Sequence, residues 1–131
     1  MVGLGLSGLG EFLEEVVREA SRRGFSVEKR SSRGVVLRYE DTPLALEVAT
    51  AGGSIVIDAV SLGDVEDIFE DYEDSVEELR NKVEELLDEV ESLGDLVSGL
   101  ARKFGFNVEA RYRRSLLDFR DALEDYIETM Y

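Results

Sequence analysis

The chain contains no cysteine and no histidine among its 131 residues. Without cysteine, disulfides, zinc–thiolate sites, iron–sulfur ligation and thiol catalysis are excluded. Without histidine, the side chain most often used as a general base, a transition-metal ligand and a switch near neutral pH is missing. Glutamine is also absent, while Glu and Arg are plentiful. This scarcity of thermolabile residues gives the chain a thermophile-like composition.

Long apolar runs are missing as well. No stretch approaches the ~18 consecutive apolar residues of a membrane-spanning helix. The opening MVGLGLSGLGEFLEEVV has no basic segment before its apolar residues, unlike a secretory signal peptide. Gly3, Gly5 and Gly8 match the G-x-G-x-x-G spacing, but no strand precedes them to present a dinucleotide to a helix. We therefore expect a cytoplasmic protein with no membrane contact and no cofactor.

The residues that are present suit one folded domain. The chain is 44% hydrophobic and 34% charged, with a formal net charge of −15. A chain of this length buries one core of ordinary size. Four glycines in residues 1–10 indicate a flexible N-terminal arm. We expect a single α+β domain over residues 11–131.

Hydrophobic spacing changes twice along the first half of the chain. Residues 11–23 have helical spacing and end before Gly24. Residues 25–60 then alternate in four short runs separated by turn residues, which predicts a four-stranded antiparallel meander. Beyond Gly94 the pattern predicts a short helix over 95–104, a possible fifth strand over 106–113 and a closing helix over 116–130 that Ser115 caps.

Residues 64–93 have the strongest pattern, a long acidic amphipathic helix that we expect to project from the domain. Its apolar residues repeat in heptads typical of a coiled coil, and Ile68 and Leu87 widen the stripe as expected of a helix packed on a sheet or in a bundle. Because the closing helix covers only half of this stripe, either the short helix over 95–104 or a second copy of the chain must cover the rest, and a second copy is the simplest partner. The predicted homodimer interface comprises Phe69, Tyr72, Val76, Leu79, Val83, Leu86, Val90 and Leu93.

The same helix concentrates the negative charge. Residues 64–93 hold fourteen Asp and Glu against Arg80 and Lys82. Such a run is either a solvated helix face or a surface that attracts basic partners. Calcium or magnesium at Asp67, Glu70, Asp71 and Asp74 lacks EF-hand spacing and a loop glycine, so we expect no metal site.

Basic residues cluster instead in segments 18–38 and 102–114. The first includes GFSVEKR and the second GFNVEAR, which agree at five of seven positions. This similarity indicates either a repeated unit or the common pattern in which a glycine ends a helix and a strand follows. If the two segments share one surface, they could follow a phosphate backbone, with Tyr112 available for stacking. The candidate nucleic-acid contacts are Arg22, Arg23, Lys29, Arg30, Arg102, Lys103, Arg111, Arg113 and Arg114.

Two acids in the strand region are the remaining candidates for chemistry. The layout of a helix, GFSVE, strands and LALEV resembles restriction-endonuclease-like nucleases, which implies a carboxylate at Glu47 and a lysine two residues later. Ala49 stands where that lysine is expected. Asp58 lies in an apolar run and is more typical of a paired sheet residue than of a catalytic acid. We therefore predict no catalytic residue.

These observations favour a non-enzymatic interaction protein, an adaptor or assembly factor that offers an acidic surface to another protein. In architecture, one helix before a short antiparallel sheet in a small acidic chain resembles secretion-type chaperones. The alternatives are a nucleic-acid-associated protein that uses the two basic segments and a metal-dependent hydrolase that uses Asp58 or Glu47.

Overall fold

The computed structural model describes residues 8–70 and 75–130, and it confirms the predicted α+β class. These described residues form four helices and one five-stranded sheet in the strand order β1-β2-β3-β4-β5. The helices are α1 (Leu9–Arg22), α2 (Val65–Glu70), α3 (Val76–Lys103) and α4 (Tyr112–Met130). The strands are β1 (Phe25–Ser31), β2 (Gly34–Tyr39), β3 (Leu44–Ala51), β4 (Ser54–Ser61) and β5 (Asn107–Ala110).

The first four strands form the predicted antiparallel meander. Val35, Val48 and Ile57 lie side by side across β2, β3 and β4, and each is almost completely buried. Because side chains alternate along a strand, the next row points to the other face of the sheet. That row holds Val36 and two acids, Glu47 and Asp58. One face of the sheet therefore carries the apolar core, and the other carries a mixed surface.

The helix predicted over residues 64–93 has different bounds in the structure. Ser75 has an extended backbone, and its Oγ accepts a hydrogen bond from the Glu78 amide at 3.0 Å. This N-cap satisfies one of the amides that a helix start leaves without a partner, so α3 begins at Val76. The separate helix α2 ends at Glu70, and predicted helical residues 71–74 lie outside the described part of the chain.

The predicted boundary at Gly94 is wrong, because α3 continues through it to Lys103. A Cβ atom at position 94 would lie 2.7 Å from the ring of Tyr112. Glycine at this position therefore allows a close approach between α3 and α4 rather than ending the helix. The short helix predicted over 95–104 is the last part of α3.

The stripe of α3 packs inside the chain. The helix contacts α1, α4 and strands β3, β4 and β5. Leu79, Val90 and Leu93 are completely buried in the core that these elements share. Leu87 is also buried, which agrees with the wide stripe expected of a helix packed on a sheet. The long helix thus lies on the sheet instead of projecting from it.

Two other predicted bounds also change. The helix α1 begins at Leu9, so the last two residues of the predicted arm over 1–10 are helical, whereas residues 1–7 fall outside the description. The helix α4 begins at Tyr112, so Ser115 lies within its first turn and is not the cap. The Ser115 hydroxyl donates instead to Asp58 Oδ1 at 2.5 Å.

The two similar segments have the same local geometry at opposite edges of the sheet. Gly24 and Gly105 follow α1 and α3 with φ of +87° and +86°, in the left-handed region that favours glycine. The next residues, Phe25 and Phe106, are buried and lead into β1 and β5. The strand pairing differs, because β1 is antiparallel to β2 whereas β5 is parallel to β4.

Candidate functional site

The predicted interface residues are placed in the intramolecular core. Phe69, Leu79, Val83, Leu86, Val90 and Leu93 are buried, Val76 is half-buried, and Tyr72 lies outside the described residues. A dimer through this stripe would require α3 to separate from its own sheet. Self-association through these residues stays a prediction.

The basic residues predicted to contact nucleic acid do not form one surface. Lys29 and Arg30 lie on β1 at one edge of the sheet, whereas Arg111, Arg113 and Arg114 follow β5 at the other edge. With strands ~4.8 Å apart, the two groups are separated by the width of the sheet. Arg22 pairs with Glu19 at the end of α1, Arg23 donates to Ser92, and Arg102 and Lys103 end α3.

The two candidate acids are direct neighbours. Glu47 on β3 is in register with Asp58 on β4, on the face of the sheet that lacks the apolar core. Glu47 is exposed, whereas Asp58 is half-buried and accepts the hydrogen bond from Ser115. The structure thus pairs Asp58 with Ser115 of α4, whereas the sequence favours a sheet residue at an edge or paired with an arginine.

The candidate cation ligands are only partly described. Asp67 and Glu70 are exposed on α2, and Asp71 and Asp74 fall in the gap between residues 70 and 75. Within the described ranges, no group of three or more acids is arranged to hold a metal ion. In the same ranges, no helix is long and apolar enough to cross a membrane.

The two sides of α3 differ in how their carboxylates are compensated. On the side facing α4, Arg120 Nε lies 3.0 Å from Glu84 Oε2, and its Nη2 lies 3.3 Å from Asp88 Oδ1. On the other side, Glu85 and Glu89 form no ion pair with any residue that the structure describes. Glu85 and Glu89 are thus uncompensated carboxylates of α3 near the β2–β3 turn, while Glu77, Glu78 and Glu91 elsewhere on the helix also form no ion pair with a described residue.

That turn brings Tyr39 and Glu40 beside the uncompensated acids. Burial, the charges of Glu40, Glu89 and Glu85, and a hydrogen bond with Glu40 together raise the pKa of the Tyr39 phenol to about 12, with burial as the largest cause. A negative potential from three carboxylates thus converges on one phenol. We call Tyr39, Glu40, Glu85 and Glu89 the acidic patch. Arg23 borders it, since its Nη1 donates to Ser92 Oγ at 3.1 Å.

Glu40 adopts an uncommon backbone conformation in this patch. Its φ is +48°, the only positive φ of a non-glycine residue in the described chain. Its amide donates to the Gly24 carbonyl at 3.0 Å, which fixes the turn against the end of α1. Left-handed φ at a residue with a side chain costs about 1–3 kcal/mol. The fold therefore holds this carboxylate in place at some cost to stability.

A second polar group lies where α3 and α4 cross. We call Asp95, Ser98, Arg102, Tyr112 and Arg113 the polar cluster, and they line a depression of about 150 Å³ together with Ala110. The Tyr112 hydroxyl donates to Asp95 Oδ1, and Arg113 Nη2 lies 2.7 Å from the same oxygen.

These hydrogen bonds determine the protonation states in the polar cluster. Burial acts to raise the pKa of the Asp95 carboxyl, but the hydrogen bonds from Tyr112 and Arg113 outweigh it and hold that pKa below its usual value. Burial and the bond to Asp95 raise the pKa of the Tyr112 phenol. Near neutral pH, Asp95 is therefore an anion and Tyr112 a neutral donor.

Ser98 is the least satisfied member of the polar cluster. It is only 4% exposed, and its Oγ makes no hydrogen bond of ordinary geometry. Its closeness to the Tyr112 hydroxyl still acts to lower the pKa of that phenol. Arg102 forms no ion pair within the described chain.

Neither site follows directly from the sequence. The acidic patch combines Tyr39 and Glu40 with Glu85 and Glu89, which lie more than forty positions later in the chain. Only Glu85 and Glu89 belong to the acidic run over residues 64–93. Of the polar cluster, Arg102, Tyr112 and Arg113 belong to the basic segment 102–114. Asp95 and Ser98 lie outside that segment, and their closeness to Tyr112 depends on α3 continuing through Gly94.

Comparison with known proteins adds no identification. No protein-family model, no curated protein sequence and no solved structure matches this chain. Functional inference therefore depends on the geometry of these two sites.

Proposed function

We propose that this chain is a non-enzymatic adaptor or assembly protein that binds a basic segment of a partner protein at the acidic patch. The observation that carries the proposal is the contrast between the two sides of α3. Arg120 neutralises Glu84 and Asp88 on one side, whereas Glu85 and Glu89 face the β2–β3 turn without a partner among the described residues. An uncompensated group of carboxylates is suited to a cationic partner.

The conformation of Glu40 supports this assignment. An ordinary turn would place glycine or asparagine at a left-handed position, because both tolerate it better than glutamate. Glu40 instead adds a third carboxylate to the patch at a φ of +48°. Strained backbone is concentrated at functional sites, where the surrounding structure maintains it.

The chemistry of the patch indicates an arginine- or lysine-rich segment. Guanidinium and ammonium groups would neutralise the carboxylates, and the half-buried ring of Tyr39 offers an aromatic surface for a cation. The net charge of −15 would steer such a partner toward the protein and accelerate its association. Binding in this way requires only one copy of the chain.

The proposal is tested by calorimetric titration with an arginine-rich peptide at an ionic strength of about 0.15 M, where distant charges are screened. The test variant is Glu85→Gln with Glu89→Gln. The matched control is Glu14→Gln with Glu128→Gln, which removes the same charge from exposed positions on α1 and α4. We expect the test variant to weaken binding about fivefold to tenfold and the control to change it less than twofold.

Equal weakening in both variants would show that the peptide responds to net charge alone and would contradict a specific patch. An oligonucleotide that binds where the peptide does not would favour the nucleic-acid alternative. In that case alanine at Arg30 or Arg114, on the two edges of the sheet, would reduce binding and its salt dependence.

A further inference from the structure

The polar cluster contains one buried donor, Ser98, and one exposed cation, Arg102, whose capacity to bind an acceptor is unused within the described chain. Ser98 is 4% exposed and its hydroxyl has no partner of ordinary geometry, although it lines the depression. A buried hydroxyl without a partner costs free energy that a bound acceptor would recover. The Arg102 guanidinium lines the same depression and forms no ion pair with any described residue.

The first turn of α4 adds donors to the same place. Tyr112 and Arg113 are the first two residues of α4 and line the depression. The first amides of a helix have no acceptor within it, and the helix dipole places partial positive charge there. Because Ser98 supplies a separate, buried donor from α3, the site does not rest on the helix end alone.

The net charge of Asp95, Arg102 and Arg113 is positive and favours binding of an anion. Asp95 is an anion, but Arg113 pairs with it directly at 2.7 Å. Arg102 then remains as uncompensated positive charge. Segment 102–114, which includes these arginines, has five basic residues against one acid in a chain whose net charge is −15. The depression is thus one of the places on this acidic protein where a small anion would meet positive charge.

We propose that the polar cluster is a binding site for a phosphate-type oxyanion, held by Ser98 Oγ, the Arg102 guanidinium and the first amides of α4. The depression of about 150 Å³ is far larger than the ~10–15 Å³ that one water molecule requires in a cavity, so it has room for one tetrahedral oxyanion. Tyr112 is a positioning residue, since its hydroxyl and Arg113 both donate to Asp95 Oδ1 and occupy that carboxylate, which also lines the depression. This site is independent of the acidic patch.

The test is an amide NMR titration of the full chain with inorganic phosphate, with sodium chloride adjusted to hold the ionic strength constant. We expect saturable shifts at Ser98, Arg102, Tyr112 and Arg113. Ser98→Ala and Arg102→Ala are each expected to weaken binding about tenfold, the effect of one charge-assisted hydrogen bond. Alanine is the better helix former, so Ser98→Ala keeps α3 folded.

Lys103→Ala is the matched control, because Lys103 is an exposed cation in the same turn of α3 that does not line the depression. It is expected to change the affinity less than twofold. A parallel titration with O-phosphoserine distinguishes the source of the oxyanion: tighter binding indicates a phosphate ester on a larger molecule, and weaker binding indicates free phosphate. Shifts that do not saturate, or equal losses in Lys103→Ala and Arg102→Ala, would overturn the proposal.

Discussion

At Gly94 a single missing side chain allows two helices to touch. The ring of Tyr112 occupies the space in which a Cβ atom would lie, only 2.7 Å away. Real Cβ atoms do not approach an aromatic ring so closely, and Tyr112 is 1% exposed, so its ring has little room to move. This contact also fixes the phenol that bonds Asp95, and it thereby links the packing of α3 and α4 to the polar cluster.

Gly94→Ala is expected to destabilise the protein by about 1–3 kcal/mol, the usual cost of overpacking a core. Gly99→Ala is the matched control in the same helix, where an added Cβ meets nothing within 4 Å. The control is expected to stabilise the protein by about 0.5–1 kcal/mol, because alanine is the better helix former. Urea unfolding measures both changes, and a Gly94→Ala protein as stable as its control would disprove the close contact.

Tyr39 reports the potential of the acidic patch. Its pKa is raised to about 12 in the folded protein, above the ~10 of an unfolded chain. A raised pKa contributes stability that is complete below pH ~10 and is lost as the pH rises through ~12. Glu85→Gln with Glu89→Gln is expected to lower the Tyr39 pKa while leaving it above ~10, because burial is the largest cause of the shift.

NMR titration of the Tyr39 ring measures this change, with Glu14→Gln plus Glu128→Gln as the control of equal charge. The control is expected to leave the Tyr39 pKa close to its original value. An unchanged Tyr39 pKa in the Glu85 and Glu89 variant would mean that these carboxylates do not act on the phenol.

At the scale of elements, the start of α3 and its predicted end at Gly94 show which helix boundaries a local sequence pattern can specify. Ser75 and Glu78 have the spacing of a helix start, so the N-terminal boundary was present in the sequence as S-x-x-E. The heptad pattern across residues 71–74 concealed it. Gly94 was misleading for another reason, since its role depends on Tyr112, a tertiary partner 18 residues later. The meander was predictable because its alternation and turn residues are local.

Leu79→Ala tests whether the stripe is covered within one chain. Leu79 is completely buried, and truncating a buried leucine costs about 2–5 kcal/mol. We expect Leu79→Ala to lose this much stability. We also expect an unfolding midpoint that does not depend on protein concentration, because α3 packs against elements of its own chain. Leu117→Ala, at a residue 58% exposed on α4, is the control and is expected to change stability by less than ~0.5 kcal/mol.

Thermal unfolding over a hundredfold range of protein concentration distinguishes the two arrangements of the stripe. If the unfolding midpoint of the original protein rises with protein concentration, and the midpoint of Leu79→Ala is lower, the stripe is shared between two copies, as the sequence predicts.

At the scale of the whole molecule, the charge is large but unevenly compensated. The excess of 30 acids over 15 basic residues was evident from composition, and so was the expectation of an acidic surface. Which carboxylates lack a partner was not evident. That depends on α4 placing Arg120 beside Glu84 and Asp88, and on the β2–β3 turn placing Glu40 beside α3.

The separation of the two basic segments also depends on how the elements are placed in the tertiary fold. A nucleic-acid surface would require the two segments to lie together, but the strand order places β1 and β5 at opposite edges of the sheet. Strand order depends on the path of α2 and α3 between β4 and β5, and the sequence pattern alone does not specify it. The segments therefore have equivalent local geometry and different neighbours.

We propose that the acidic patch, rather than net charge, attracts a basic partner. The most direct measurement is an amide NMR titration with an arginine-rich peptide at an ionic strength of about 0.15 M. We expect saturable shifts concentrated at Tyr39, Glu40, Glu85 and Glu89. Shifts spread evenly over α2, α3 and α4, or concentrated on the side of α3 that Arg120 covers, would contradict it.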